Sequence, residues 1–309
     1  MTRRISRVAA SVAALSAVAA IAAGCGSSNS NTNTTAASTG GGASSTTGGG
    51  ADQKVASEVP AAIKSKGTLT VAADATYAPN EFIGSNGKTV EGMDADLAAA
   101  LASTMGLKAK VVNATFDSII PGLAAHKYDL GMSSFTDTKE REKTVDFVTY
   151  FSAGTSFYEK ASGGPPVTGL ASLCGTTVAV EKGTTQQADS TAQSKKCTSA
   201  GKKPVKVLTF PDQNGANLAI TSGRAQIGMA DSPVADYQVK KSGGQFKTVG
   251  TPYGTAPYGI AIPKDTKMAK PVLDALKVLM SNGQYKAILT KWGIADGAIS
   301  NPQINGAIS

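Results

Sequence analysis

At 309 residues, 41% hydrophobic and 17% charged, the chain is long enough to bury the cores of two lobes and too mixed in composition to be fibrous or wholly disordered. Its formal charge of +8 is mild, and the clusters Lys195-Lys196 and Lys202-Lys203 lack interleaved aromatics, so they read as a solvated face rather than a nucleic-acid surface. The single histidine, His126, excludes most histidine-based catalysis and zinc chemistry, and neither a metal nor a cofactor is expected.

Arg3, Arg4 and Arg7 precede an apolar run over residues 8–23, the layout of a secretory signal and too short to cross a membrane comfortably. The run ends in Ala22-Ala23-Gly24-Cys25, which resembles the bacterial lipobox and implies a signal peptide over 1–24 with lipidation at Cys25. Residues 26–51 contain only Gly, Ser, Thr, Asn and Ala, so 25–51 is expected to be a lipidated cysteine followed by a disordered linker. Its root-mean-square reach is roughly 28 Å. Loss of the three arginines leaves 27 basic residues against 22 acidic ones, a net +5.

The remaining chain alternates strand and helix patterns, which favours α/β. Residues 69–73 read as a first strand and 94–105 as a helix with Leu97, Leu101 and Met105 on one face. Asp94 and Asp96 then read as cap and first-turn acids favoured by the helix dipole. A strand at 111–112 and a helix over 116–126, with Pro121 near its start, come next. Residues 129–132 form a short buried strand that opens into Ser133, Ser134 and Thr136, followed by a lone guanidinium at Arg141. Hydroxyls and an arginine beyond the carboxyl end of a strand suit capture of a small carboxylate. The pattern restarts after residue 155 with strands at 178–180 and 205–208, helices after Gly183 and at 215–221, and a strand ending at Asp231. There RAQIGMAD (224–231) echoes KYDLGMSS (127–134), with Asp231 where Ser134 falls. Two half-sites, one of hydroxyls and arginine and one of carboxylate, would complement the charges of a free amino acid. A strand at 258–262 and helices carrying Leu273, Leu276, Leu279, Tyr285, Ile288 and Trp292 close the chain. Cys174 and Cys197, an even pair in an exported protein, are expected to form a disulfide. No GxSxG, Cys-His pairing, P-loop, HExxH or CxxC is present, so binding is favoured over catalysis.

SSxTxxxxR, running from Ser133 to Arg141 and closed by Val145-Asp146-Phe147, resembles the ligand-binding segment of the family 3 extracellular solute-binding proteins, the polar amino-acid receptors of ABC importers. DATYAP from Asp74, GMDADLAAALA from Gly92, FDSIIPGL from Phe116, GTTQ from Gly183, and Asp231 follow in the family's order. The resemblance implies an α/β, bilobal periplasmic-binding-protein type II fold, two α/β lobes joined by a two-strand hinge. Lobe 1 would be 52–154 plus 256–309, lobe 2 155–255, and the crossings would lie near 155–159 and 250–256. It also implies a ligand set: Arg141 on the α-carboxylate with Thr136 and Thr185, Asp231 and Ser134 on the α-ammonium beside Ser133, and Asp74 and Gln186 toward the ligand side chain. Tyr77 and Phe116 would sandwich that side chain. Asn80 departs from a common phenylalanine and leaves the outer wall open. With Asp74 and Asp231 against Arg141 the cleft is net negative by one, which favours a polar or cationic amino acid. The implied partners are a membrane ABC permease with its ATPase, for a monomeric receptor held by lipid on the outer face of the cell membrane. The alternatives are an exported cyclohexadienyl or arogenate dehydratase-like enzyme and a ligand-sensing subunit of a membrane receptor.

Overall fold

The computed structural model describes residues 50–308; the signal segment, Cys25 and nearly all of the expected linker lie outside them. Two short helices, α1 (Gln53–Glu58) and α2 (Ala61–Lys66), lead in, the first capped by the Asp52 carboxylate, which accepts from the Val55 amide. There follow β1 (Thr68–Ala73), a three-stranded meander of β2 (Thr76–Tyr77), β3 (Glu81–Ile83) and β4 (Val90–Glu91), then α3 (Met93–Thr104) and β5 (Lys108–Asn113). Next are α4 (Phe116–Ala124), β6 (Leu130–Gly131), α5 (Lys139–Glu142) and the long β7 (Val145–Lys160). A second α/β run comprises β8 (Thr177–Glu181), α6 (Thr185–Ser199), β9 (Lys206–Phe210), α7 (Gln213–Thr221), β10 (Ile227–Asp231) and α8 (Ser232–Lys241). The still longer β11 (Phe246–Pro263) returns the chain, and α9 (Ala269–Ser281) and α10 (Gln284–Trp292) finish on the first half.

The strands run in the order β5-β1-β6-β11-β7-β10-β8-β9. β1 is parallel to β5 and β6 at one end, and β8 is parallel to β9 and β10 at the other. β7 and β11, 16 and 18 residues long, are antiparallel in the middle and belong to both halves. Each half has its own core, as the α/β expectation requires. Leu97, Leu101 and Met105, spaced by four, press one face of α3 on Leu69, Ile260 and Leu276 in the first. Val178, Val180, Ile227 and Phe157 centre the second.

Pairing of β7 with β11 is broken in its middle and carries a further bulge between Tyr258 and Gly259. Phe246 to Val249 pair with Lys160 to Phe157, Ala256 to Pro263 pair with Ala153 to Val145, and the register shifts on both sides of Tyr253. A Cβ on Gly154 would lie 2.8 Å from the Tyr253 carbonyl oxygen, so this close approach excludes a side chain there. Interrupted ladders bend more readily than continuous ones.

Some elements differ from expectation. The strand expected at 129–132 pairs as two residues, although the Asp129 and Met132 amides still donate to the Thr70 and Ala72 carbonyls of β1. The expected Cys174–Cys197 disulfide is present, tying the turn before β8 to α6. Among the described residues no helix is long and apolar enough to cross a membrane.

Candidate functional site

The carboxyl ends of β1 and β6 in one half face those of β8 and β10 in the other, around a small, nearly filled cavity. Asp74, Tyr77, Phe116, Ser133, Ser134, Thr136 and Arg141 line it from the first half, and Thr185, Gln186 and Asp231 from the second, so every residue expected at the site borders one space. The sequence echo has a structural basis: β6 and β10 occupy matching places flanking the crossing strands.

On one side stands Arg141. The Thr138 hydroxyl caps α5 by accepting from the Arg141 amide, and the guanidinium donates to the Thr136 carbonyl at 2.8 Å and to the Gly183 carbonyl of the other half at 3.0 Å. It lies over the rings of Phe116 and Phe135, themselves stacked at 4.5 Å. Phe116 therefore supports the arginine as well as lining the cavity. Burial lowers the guanidinium pKa to about 10, still charged at neutral pH. The amino end of α6 points to the same region: Thr184 caps it by accepting from the Gln187 amide, placing Thr185 and Gln186 in a first turn whose positive dipole end favours an anion.

Asp231 closes β10. Its carboxylate accepts from Gln186 Nε2 at 2.6 Å and from the Tyr258 hydroxyl at 2.7 Å, while burial pushes its pKa up to about 6. Gln186 also donates to Thr155, so it acts chiefly as a support that aims Asp231. The Asp231 amide donates to the Tyr77 hydroxyl across the cleft, and the Gln213 amide donates to Thr76. Tyr77 thus joins the two halves besides bordering the cavity.

The acid content exceeds expectation. Asp74 accepts from the Thr76 hydroxyl and the Phe116 amide, and burial raises its pKa. Glu81, absent from the expected set, accepts from the hydroxyls of Ser133 and Ser134 at 3.0 and 3.2 Å. Asn80 donates to Ser134 from the wall that its departure had left open. Glu181, also unforeseen, ends β8, and both glutamates are pushed well above the usual carboxylate range, first by burial and then by Asp94 and Asp74 respectively. Asp94 does lie in the first turn of α3, as the helix pattern suggests, but it neither caps the helix nor faces water. Gly92 holds the cap position, and Asp94 is buried beneath the site beside Glu81, accepting from the Ser134 amide. Asp96 does stay at the surface, paired with Lys291 at 2.7 Å. The balance of one arginine against Asp74 and Asp231 must therefore be corrected: Glu81 and Glu181 make four carboxyl groups around the cavity. Neither nearby cation offsets them, since Lys182 pairs with Asp117 and Arg224 lies over Phe210.

Two α/β lobes on a pair of crossing strands, with polar strand ends facing each other over an enclosed cavity, define a two-lobed small-solute receptor fold. The chain belongs to the bacterial extracellular solute-binding proteins, family 3, whose pattern it matches over residues 69–295. It is 32% identical over 253 residues to an arginine-binding protein of Corynebacterium glutamicum, covering 82% of this chain and 83% of that one. A solved ancestral arginine-binding protein bound to arginine is 35% identical, with a TM-score of 0.67 over 74% of this chain and 98% of that one. The ancestral amino acid-binding protein described as a precursor of cyclohexadienyl dehydratase is also 35% identical, with a TM-score of 0.64 over 75% of this chain and 97% of that one.

Proposed function

We propose that this chain is the extracytoplasmic substrate-binding lipoprotein of an ABC importer and captures a free cationic amino acid, arginine foremost, between its lobes. The observation that carries the reading is the acid content of the cavity, four carboxyl groups facing one guanidinium, two of them able to give up a proton to a cation. Arg141 and the amino end of α6 take the α-carboxylate, Asp231 the α-ammonium, and Asp74 the cationic end of the side chain. A zwitterion taken out of water needs both charges paired, and partners divided between lobes satisfy them only when the cleft is shut. Binding therefore drives closure about crossings near 155–159 and 250–256, between lobe 1 (52–154 plus 256–309) and lobe 2 (155–255). Small-angle scattering that did not change with saturating arginine would count against closure. The closed form is what a membrane permease receives, its ATPase supplying the energy. Cys25, after a signal over 1–24, carries the lipid that holds the monomer at the membrane, and unchanged membrane retention of Cys25→Ser would remove that assignment.

A thermal-shift screen against the twenty amino acids tests the central reading. Arginine and lysine are expected to shift the midpoint most, and at a hundred times Kd a ligand adds about 2.7 kcal/mol. Tight binding of glutamate at neutral pH with arginine inert would overturn it. The dehydratase alternative is disfavoured on charge, because a dicarboxylate such as prephenate meets four acids and one arginine. Turnover of prephenate or arogenate would restore it.

A further inference from the structure

Glu181 has no counterpart in the ligand set read from the sequence, yet it is 2% exposed and borders the cavity. Its Oε1 is buried and accepts no hydrogen bond. It ends β8 in one lobe and faces Asp74, which follows β1 in the other, with the two carboxyl groups near enough to share a proton. Neither can donate while both are ionised. Asp74 is already served by Thr76 and the Phe116 amide, whereas Glu181 Oε1 is not served at all.

We infer that Glu181 and Asp74 form a two-jawed clamp for a delocalised cation, the guanidinium of the ligand side chain, and that Glu181 is the residue that rejects an uncharged side chain of the same shape. This rests on the proposal above that the cleft shuts on a free amino acid. A planar guanidinium presents donors along more than one edge and satisfies a carboxylate on each side, which a compact ammonium does less well. An uncharged isostere leaves two buried carboxyl groups opposed without a counter-charge, so its complex must keep the proton they share.

The surroundings reinforce this. Asp212 at the start of α7 and Asp231 at the end of β10 add negative potential at Glu181, and Asp74 adds more. The hydroxyls of Tyr77 and Tyr158, which also feel Glu181, are held protonated by burial. Glu81, on the far side of Ser133 and Ser134, shares its burden with Asp94. Arg141 is turned to the Thr136 and Gly183 carbonyls, and Lys182, next in the chain, is turned out to Asp117.

Calorimetry with L-arginine and its uncharged isostere L-citrulline, at pH 6.5, 7.5 and 8.5, tests the clamp in the wild type and in Glu181→Gln. In the wild type the arginine-to-citrulline affinity ratio is expected to rise about tenfold per pH unit, because arginine expels the proton shared by Glu181 and Asp74 whereas citrulline leaves it in place. In Glu181→Gln, arginine at pH 7.5 should weaken at least about tenfold and citrulline by less than about threefold, with the ratio independent of pH. A flat ratio in the wild type overturns the inference, as do equal slopes in both proteins or equal losses for both ligands. The wild-type series decides by itself if the variant does not fold. Should the wild type bind no cationic amino acid at all, the receptor proposal falls with it, an outcome distinct from a flat ratio on intact arginine binding.

Discussion

Arg141 stacks on two rings and donates to carbonyls of both lobes, so a ligand carboxylate meets a guanidinium already fixed in place. Arg141→Ala should therefore lower affinity by roughly 10²–10⁴, the consequence of leaving one member of a buried ion pair alone. Circular dichroism should be unchanged, and Arg141→Lys should recover little, because a point charge cannot reproduce the planar fork. Asp231 sets the acid limit. Its folded pKa is raised to about 6 by burial, so the carboxylate proposed to pair with an α-ammonium is ionised above that value and is lost as pH falls through it. Arginine affinity should fall as pH drops through about 6, by up to tenfold per unit on account of Asp231, in calorimetry. At this scale the polar strand ends were legible because a serine pair, a threonine and an arginine in fixed spacing are unusual in sequence. Glu181 was not, since an acid followed by a lysine reads as a solvated turn. The usable signal was its place at the carboxyl end of a parallel strand, where α/β sheets present residues to ligands. Asp94 misled for the opposite reason: an acid in a first helical turn ordinarily faces water, and nothing local announces Glu81 above it.

Among the elements, α6 carries most of the second lobe's contribution to the site, and its sequence is polar along most of its length. Only Gln186, Ser190, Gln193 and Cys197 of its 15 residues are buried, so apolar packing alone anchors it weakly. The Cys174–Cys197 bond supplies the missing anchor, joining residues 23 apart and receiving a side-chain hydrogen bond from Gln193. Replacing both cysteines with serine should cost about 3 kcal/mol of unfolding free energy in urea, read as a lower midpoint with a somewhat steeper slope because the unfolded chain loses its cross-link. The helices and the parallel strands were legible from periodicity, because each buries one face against a single core. The two crossing strands were legible only in pieces. Their middles pass between cores, and around Gly154 and Gly254 neither the alternation nor the apolar run that marks a strand persists.

Across the whole molecule, the second lobe joins the first through two strands whose ladder is interrupted near Tyr253, and the lobes touch through a few polar contacts at the cleft. One of these, Lys182 to Asp117 at 2.8 Å, lies outside the cavity and is largely in solvent. It cannot tell one amino acid from another, yet it must break each time the proposed receptor opens. Its consequence is temporal. An exposed pair contributes about 0.2–1 kcal/mol, so Lys182→Ala should speed ligand release by up to about fivefold, in equal proportion for every ligand, in stopped-flow displacement. Raising ionic strength in the wild type should act the same way, and the variant should have lost most of that sensitivity. The dwell time of the cargo would then follow the salinity outside the cell, while the choice of cargo would not.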